Sequence, residues 1–287
     1  MHGLAIRTRG LVHIYHAEGH DVAALSGVDL DVAAGEMVGL LGPSGSGKST
    51  LMSLLAGIFR PSAGKVFVGE SELSTAPSRD LDRLRATDVG LMLQGAGRNL
   101  LPHTTPADNV RFAQHRARRA GRDLADPADV IADLGLAEHA DEPLGRLTPG
   151  GLQLAAVAVA VSTRPGLLLC DEPTSQLDHA ARDQVLEALA RVNRAYGTTV
   201  VLVTHDPDVA RVLPRTVTIR DGRIGGEGRS GEEYAVVTAD GFLPLLGHVR
   251  DRLPPGTLVR VHEVGDHFEL RAQGDADDAT GSTGKDR

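Results

Sequence analysis

The sequence predicts an α/β fold: a parallel-sheet core interrupted by a helical insertion. Three observations predict it. MVGLLG (37–42), GLLLCDEP (166–173) and TTVVLVTH (198–205) contain the unbroken apolar runs of strands that lie inside a sheet. STLMSLLAGIF (49–59) and HAARDQVLEALARVNRAYG (179–197) carry apolar residues at helical spacing around those runs. Between them, residues from about 106 to 161 read as mostly helical, ending in LQLAAVAVAVS.

Taken in order, LAIRTRGLVHIYH (4–16) and AALSGVDLDVAAGEMVGLLG (23–42) read as strands separated by Gly and Asp turn signals. The chain of 287 residues is long enough for a sizeable core and forms one large or two modest domains. Its 41% hydrophobic and 24% charged content is that of a soluble globular protein. No run of about 18 apolar residues is present. The N-terminal residues lack the apolar block of a secretory signal. A net charge of -8 argues against broad nucleic-acid binding, which depends on cationic neutralisation of phosphates. The lone Cys170 suits a reducing cytosol.

GPSGSGKS, Gly42 to Ser49, fits the phosphate-loop pattern and follows an apolar strand while preceding a helix. Gly42, Gly45 and Gly47 allow sharp turning, so that successive backbone N–H groups of a loop that also contains Pro43, Ser44 and Ser46 can encircle a triphosphate. Lys48 is expected to reach the outer phosphates and the Ser49 hydroxyl a magnesium ion. Thr50 completes the expected ATP-binding stretch. In LLLCDEP (167–173) four apolar residues deliver two carboxylates to the end of a buried strand. Asp171 is expected to hold magnesium, directly or through water, and Glu172 to polarise the attacking water.

With these motifs, residues 4–228 resemble the nucleotide-binding subunit of an ATP-binding cassette (ABC) transporter. The resemblance implies a P-loop ABC ATPase core with a parallel sheet, an antiparallel β subdomain and a helical subdomain at about 95–163. It implies roles for four more residues. Tyr15 matches the aromatic on which adenine stacks. Gln94, in GLMLQ, matches the glutamine that senses magnesium, as a ligand, and contacts the membrane partner. Asp178, in SQLD, matches the aspartate of the dimer-interface loop, and His205, in LVTHD, matches the histidine that touches the terminal phosphate. Residues 22–66, with NLLPHTTPADNV (99–110), resemble the subunits of macrolide-exporter and lipoprotein-releasing systems. ATP and Mg2+ are the implied ligands. The implied partners are a separate membrane permease and a second ABC ATPase, in a homodimer or a heterodimer. The implied location is cytoplasmic, on the inner face of the membrane through the permease.

In this family each ATP is sandwiched between the phosphate loop of one subunit and the signature of the other, commonly Leu-Ser-Gly-Gly-Gln. Here LTPGG stands in its place, with Leu147 24 positions before Asp171, the family's own spacing. Thr148 keeps a hydroxyl and suits a helix N-cap. Pro149 suits a first helical turn but removes an N–H that the family uses on the terminal phosphate. Gly150 is retained, Gly151 replaces Gln, and Leu154 stands where an arginine is usual. Hydrolysis is therefore expected, and expected to be slowed. A soluble ATP-dependent switch and a weakly hydrolysing ATP-binding scaffold are the alternatives.

RFAQHRARRAGR (111–122) reads as a solvated face of the helical insertion. A Gly-rich break at about 222–231 precedes a C-terminal module, 229–273. Apolar alternation in YAVV and TLVRV, with turns at Asp240-Gly241, Pro255-Gly256 and Gly265-Asp266, suggests short strands around one helical segment. The module resembles the swapped-hairpin unit of bacterial transition-state regulators, which implies dimerisation, a small docking domain of no such kinship being the alternative; its excess of acidic residues argues against DNA. Residues 274–287, poor in apolar side chains, are expected to be disordered.

Overall fold

The computed structural model describes residues 3–17, 20–229, 232–237, 241 and 243–273. The expected disordered tail, 274–287, lies outside the described residues, as does Asp240 of the expected Asp240-Gly241 turn.

Two sheets and a helical layer build the fold. In the first sheet, β1 (Ile6–Ala17), β2 (His20–Val32), β4 (Ala63–Val68) and β5 (Ser71–Glu72) pair antiparallel in the order β2-β1-β4-β5. Toward its C-terminal end β2 alternates strictly, with Val28, Leu30 and Val32 inside and the intervening Asp29 and Asp31 outside. That period of two is the mark of a strand with one wet face.

The second sheet has seven strands. Five are parallel: β6 (Val89–Met92), β7 (Leu167–Asp171), β8 (Thr199–Val203), β3 (Met37–Leu41) and β9 (Arg215–Arg220). β10 (Arg223–Arg229) and β11 (Glu232–Ala235) extend it antiparallel beyond β9. The central strands are apolar throughout because both of their faces are covered. Leu167, Leu169, Val201 and Val203 enter one core, beneath the antiparallel sheet, whereas Leu168, Cys170, Val200 and Leu202 enter the other, beneath the helices. Register is level across the centre, with Leu40 opposite Val203 and Val203 opposite Asp171. The carboxyl ends of β3, β7 and β8 therefore open on one edge, the usual ligand edge of such a sheet.

The helices follow the sequence closely. α1 (Lys48–Leu55) follows the phosphate loop, and α2 (Ser78–Thr87) precedes β6. The helical insertion comprises α3 (Pro106–Arg119), α4 (Pro127–Asp133) and α5 (Pro149–Val161). All three begin with the same device, a Thr or Asp N-cap followed by Pro: Thr105 caps Asp108 N–H, Asp126 caps Ala128 N–H and Thr148 caps Gly151 N–H. α6 (His179–Tyr196) stops at Gly197, whose φ of 65° is a left-handed C-cap. α7 (Pro207–Val212) leads into β9.

Two expectations differ from what is found. The arginine run at 111–122 is only partly a solvated face. Arg118 donates to Gln114 Oε1, Leu124 O and Ala125 O within the insertion, and Arg122 pairs with Asp88 at the end of α2, tying the insertion to the rest of the fold. The Gly-rich break at 222–231 contains a strand, β10, despite the low strand propensity of glycine. Close approach explains it: a Cβ on Gly228 would lie 2.4 Å from Thr216 Oγ1.

Beyond β11, α8 (Gly247–Arg252) is followed by a hairpin of β12 (Val259–Val264) and β13 (His267–Ala272). Its two-residue turn, Gly265-Asp266, places Gly265 at φ 61°. Val261, Phe268 and Leu270 share one face of the hairpin and are exposed. Among the described residues, no helix is long and apolar enough to cross a membrane.

Candidate functional site

The phosphate loop needs its glycines for two reasons. Gly42, Gly45 and Gly47 lie at φ 140°, 79° and 101°, where a side chain strains the backbone. At Gly42 a Cβ would also come within 2.1 Å of Ile219 O, and at Gly47 within 2.4 Å of Ala24 O. The loop is thus clamped between β9 and β2. Lys48, at the first position of α1, folds back across it, and its Nζ donates to Gly42 O and Pro43 O at 2.8 Å each. Burial lowers the Lys48 pKa, against the opposing pull of Glu172 and Asp171.

Asp171 closes the other side. Ser49 Oγ donates to Asp171 Oδ2 at 3.0 Å, joining residues 122 apart in sequence. Ser49, Asp171 and Gln94 line one cavity of about 260 Å³, with Arg98 at its wall. A hydroxyl, a carboxylate and an amide oxygen form the hard-oxygen set that suits Mg2+, which keeps waters and takes its remaining ligands from phosphate. The residues fit the ion.

Glu172 follows at a left-handed φ of 51° and is 9% exposed. Its own N–H donates to Val203 O at 3.1 Å, fixing it against the end of β8. Its Oε1 lies 2.8 Å from Nδ1 of His205, whose side chain is otherwise exposed. A buried carboxylate held by an exposed imidazole, beside a phosphate loop and a magnesium set, can take a proton from a water attacking a bound phosphate.

Tyr15 stands on β1 with its ring 40% exposed, and its hydroxyl shares a 3.1 Å hydrogen bond with Thr50 Oγ1 at the start of α1. An aromatic face is therefore available next to the phosphate loop. His13 and Phe59 hold that ring edge-on, with centroids 4.8 and 6.1 Å away, and stack on one another at 5.7 Å. Sequence reading missed both. For His13 a signal existed, since it lies two residues before Tyr15 and shares its strand face.

LTPGG lies elsewhere in the chain. Thr148 is the N-cap of α5, accepting from Gly151 N–H at 3.1 Å, and Pro149 occupies the first helical position. Gly150 is buried against α6, where a Cβ would lie 2.8 Å from that of Ala181. Gly151 has room, a Cβ there meeting nothing nearer than 3.4 Å. Leu154 is buried in the core beneath the helices. Asp178 caps α6 through Ala181 N–H at 2.8 Å, so Asp178 and Gly150 meet the same residue. The structure thus gathers the phosphate loop, Tyr15, Asp171, Glu172, His205 and Gln94 around one edge of the sheet. The contacts of LTPGG run to α6 instead.

Comparison with known proteins agrees with this geometry. Residues 25–175 match the family model described as ABC transporter. The lipoprotein-releasing system ATP-binding protein LolD 1 of Caulobacter vibrioides is 36% identical over 223 residues, 76% of this chain and 94% of that protein. The methionine import ATP-binding protein MetN of the same organism is 40% identical over 228 residues, 79% of this chain and 67% of its own length. Among solved structures, the ATP-binding cassette MJ0796 in a dimeric post-hydrolysis state with ADP and Pi superposes with a TM-score of 0.71 at 27% identity, covering 78% of this chain and 98% of that one. On this evidence the chain belongs to the ABC transporter family, as an ATP-binding subunit with ATPase activity.

Proposed function

We propose that this chain binds Mg2+-ATP between its own phosphate loop and the signature segment of a second ATPase subunit, hydrolyses it, and so drives a separate membrane permease. The observation that carries the reading is the pair of contacts at one sheet edge, Ser49 Oγ to Asp171 Oδ2 at 3.0 Å and His205 Nδ1 to Glu172 Oε1 at 2.8 Å. In this reading Lys48 leaves the loop carbonyls for the outer phosphates, and Ser49, Asp171 and Gln94 hold Mg2+. The ion, when bound, offsets the negative charge of the phosphates. Glu172 orients a water and takes its proton as the oxygen bonds the terminal phosphorus and the bond to ADP breaks. His205 holds Glu172 and reaches the terminal phosphate. Tyr15 stacks on adenine, and Asp178 lies at the subunit boundary.

The permease would place the subunit on the cytoplasmic face of the membrane; the names of its relatives, a lipoprotein-releasing and a methionine import ATP-binding protein, support the transport role on which that placement rests. A module within residues 229–273, beginning after β11, belongs to the same reading. It is supported by β12 and β13, which hydrogen-bond to each other in a sheet of their own, whereas β11 joins the ATPase sheet.

LTPGG slows this cycle. In the first turn of α5, Pro149 has no N–H and Gly151 N–H is taken by Thr148, which leaves Gly150 N–H as the donor for a phosphate. Loss of one charge-assisted hydrogen bond costs about 1.5–3 kcal/mol, roughly a tenfold to hundredfold effect. The hydrolytic half of the site has no such gap, which favours a partner subunit carrying a fuller signature. The test is ATP turnover of the purified chain beside Glu172→Gln, with dimerisation followed in the same samples. Turnover that Glu172→Gln stops while trapping dimers supports the motor. ATP binding without turnover, unrelieved by any second ATPase subunit, leaves a switch or a scaffold.

A further inference from the structure

A cavity of about 290 Å³ lies where the C-terminal segment meets the edge of the main sheet. One wall is Thr218 and Ile224, from β9 and β10; the other is Pro244 and Leu246, from beyond β11. Glycines leave the space open. A Cβ on Gly225 would meet nothing nearer than 3.9 Å, at Pro244 Cγ and Thr218 O. Three arginines, Arg220, Arg223 and Arg250, face two carboxylates, Asp221 and Glu233, around this apolar interior. Among the described residues, neither Arg220 nor Arg250 has a side-chain partner. Unpaired guanidinium groups lining a largely apolar cavity are the recognition set for a small organic anion with an apolar body.

The same strands brace the phosphate loop. β9 and β10 join through Asp221-Gly222, both left-handed at φ 50° and 72°, a tight two-residue turn. Gly222 N–H donates to Ser46 O of the phosphate loop at 3.2 Å, and Gly222 O accepts from Ser26 N–H at 2.9 Å. Ile219 O lies so close to Gly42 that no side chain fits between them. A ligand that shifts Arg220 or Ile224 therefore acts on a turn in direct contact with the ATP site.

We propose that this cavity is a regulatory site for a small carboxylate with an apolar body, whose occupancy changes the affinity of the phosphate loop for ATP. The coupling half rests on the ATP site proposed above; binding to the cavity does not.

The test uses the full chain with acetate, hexanoate, 3-phenylpropanoate and hexylammonium as probes, read by calorimetry without nucleotide. Hexanoate or 3-phenylpropanoate is expected to bind, acetate and hexylammonium at least tenfold more weakly. Arg250→Gln, an exposed substitution, is expected to lower affinity about tenfold, and Gly225→Val, which fills the cavity, to abolish binding. A fluorescent ATP analogue then reads nucleotide affinity with and without the carboxylate. A shift of about fivefold is expected, with the same factor on carboxylate affinity when nucleotide is present. Failure of both apolar carboxylates to bind, equal binding of hexylammonium, binding that survives both variants, or unchanged nucleotide affinity overturns the proposal. Failure of the analogue to bind at all speaks against the ATP site instead and leaves the calorimetric result standing.

Discussion

His205 and Glu172 meet at 2.8 Å although 33 residues separate them, because β7 and β8 are neighbouring parallel strands in level register. Glu172 is the first residue past β7 and His205 the second past β8, so the level register brings both to the same edge of the sheet. Glu172→Gln keeps the shape and removes the base, so turnover should fall by roughly a hundredfold to ten-thousandfold with ATP still bound. His205→Ala should lower turnover by about tenfold or more with a smaller change in KM, since the carboxylate loses its positioning partner. Steady-state kinetics on both variants decides this.

Pro149→Gly restores an N–H at the first position of α5 while leaving the Thr148 cap in place. Turnover should rise by about tenfold, at a small loss of Tm from the freer backbone. Gly151→Gln should fold normally, because a Cβ there meets nothing nearer than 3.4 Å. A turnover that stays flat in Pro149→Gly would show that the missing N–H is not the brake.

Tyr15→Ala should raise the KM for ATP by about tenfold, the order expected for loss of one base-stacking ring, with kcat little changed. Tyr15→Phe keeps the ring against His13 and Phe59 and loses only the 3.1 Å bond to Thr50, so its KM should stay within a few-fold of the parent. Equal KM values for the two variants would remove stacking from the account.

Arg215 ties the sheets together, reaching Glu36 at 3.1 Å, Glu227 at 2.8 Å and Asp31 O at 2.9 Å. Burial pushes the Glu227 pKa up, but Arg215 and Arg229 outweigh it and hold the pKa below the usual 4.5. A carboxylate with a lowered folded pKa contributes stability that is present above about pH 4.5 and is lost as pH falls through the folded value. Glu227→Gln should therefore be less stable near neutral pH and should show a shallower acid limb. Denaturant midpoints between pH 3 and 7 measure both, about 1 kcal/mol being the resolvable difference.

The local parts of this protein were legible in its sequence. GPSGSGKS, LLLCDEP and the Thr148-Pro149 helix start each depend on a few consecutive residues, whose backbone preferences and hydrogen-bonding groups act over one turn or one strand. Apolar runs likewise announced the buried parallel strands, because burial on both faces leaves no polar alternation. Tertiary structure decided what those pieces do together. Ser49 finds Asp171, Tyr15 finds Thr50, and His13 and Phe59 frame the ring only once strand order and register are set, and register depends on pairings between distant segments. RIGGEGR looked like a break because glycine has little strand preference of its own; it is a strand because only glycine lets Thr216 and the neighbouring backbone come so close. The cavity beside the Asp221-Gly222 turn was equally invisible, since its two walls come from opposite sides of β11 and become one surface only when that strand joins the sheet.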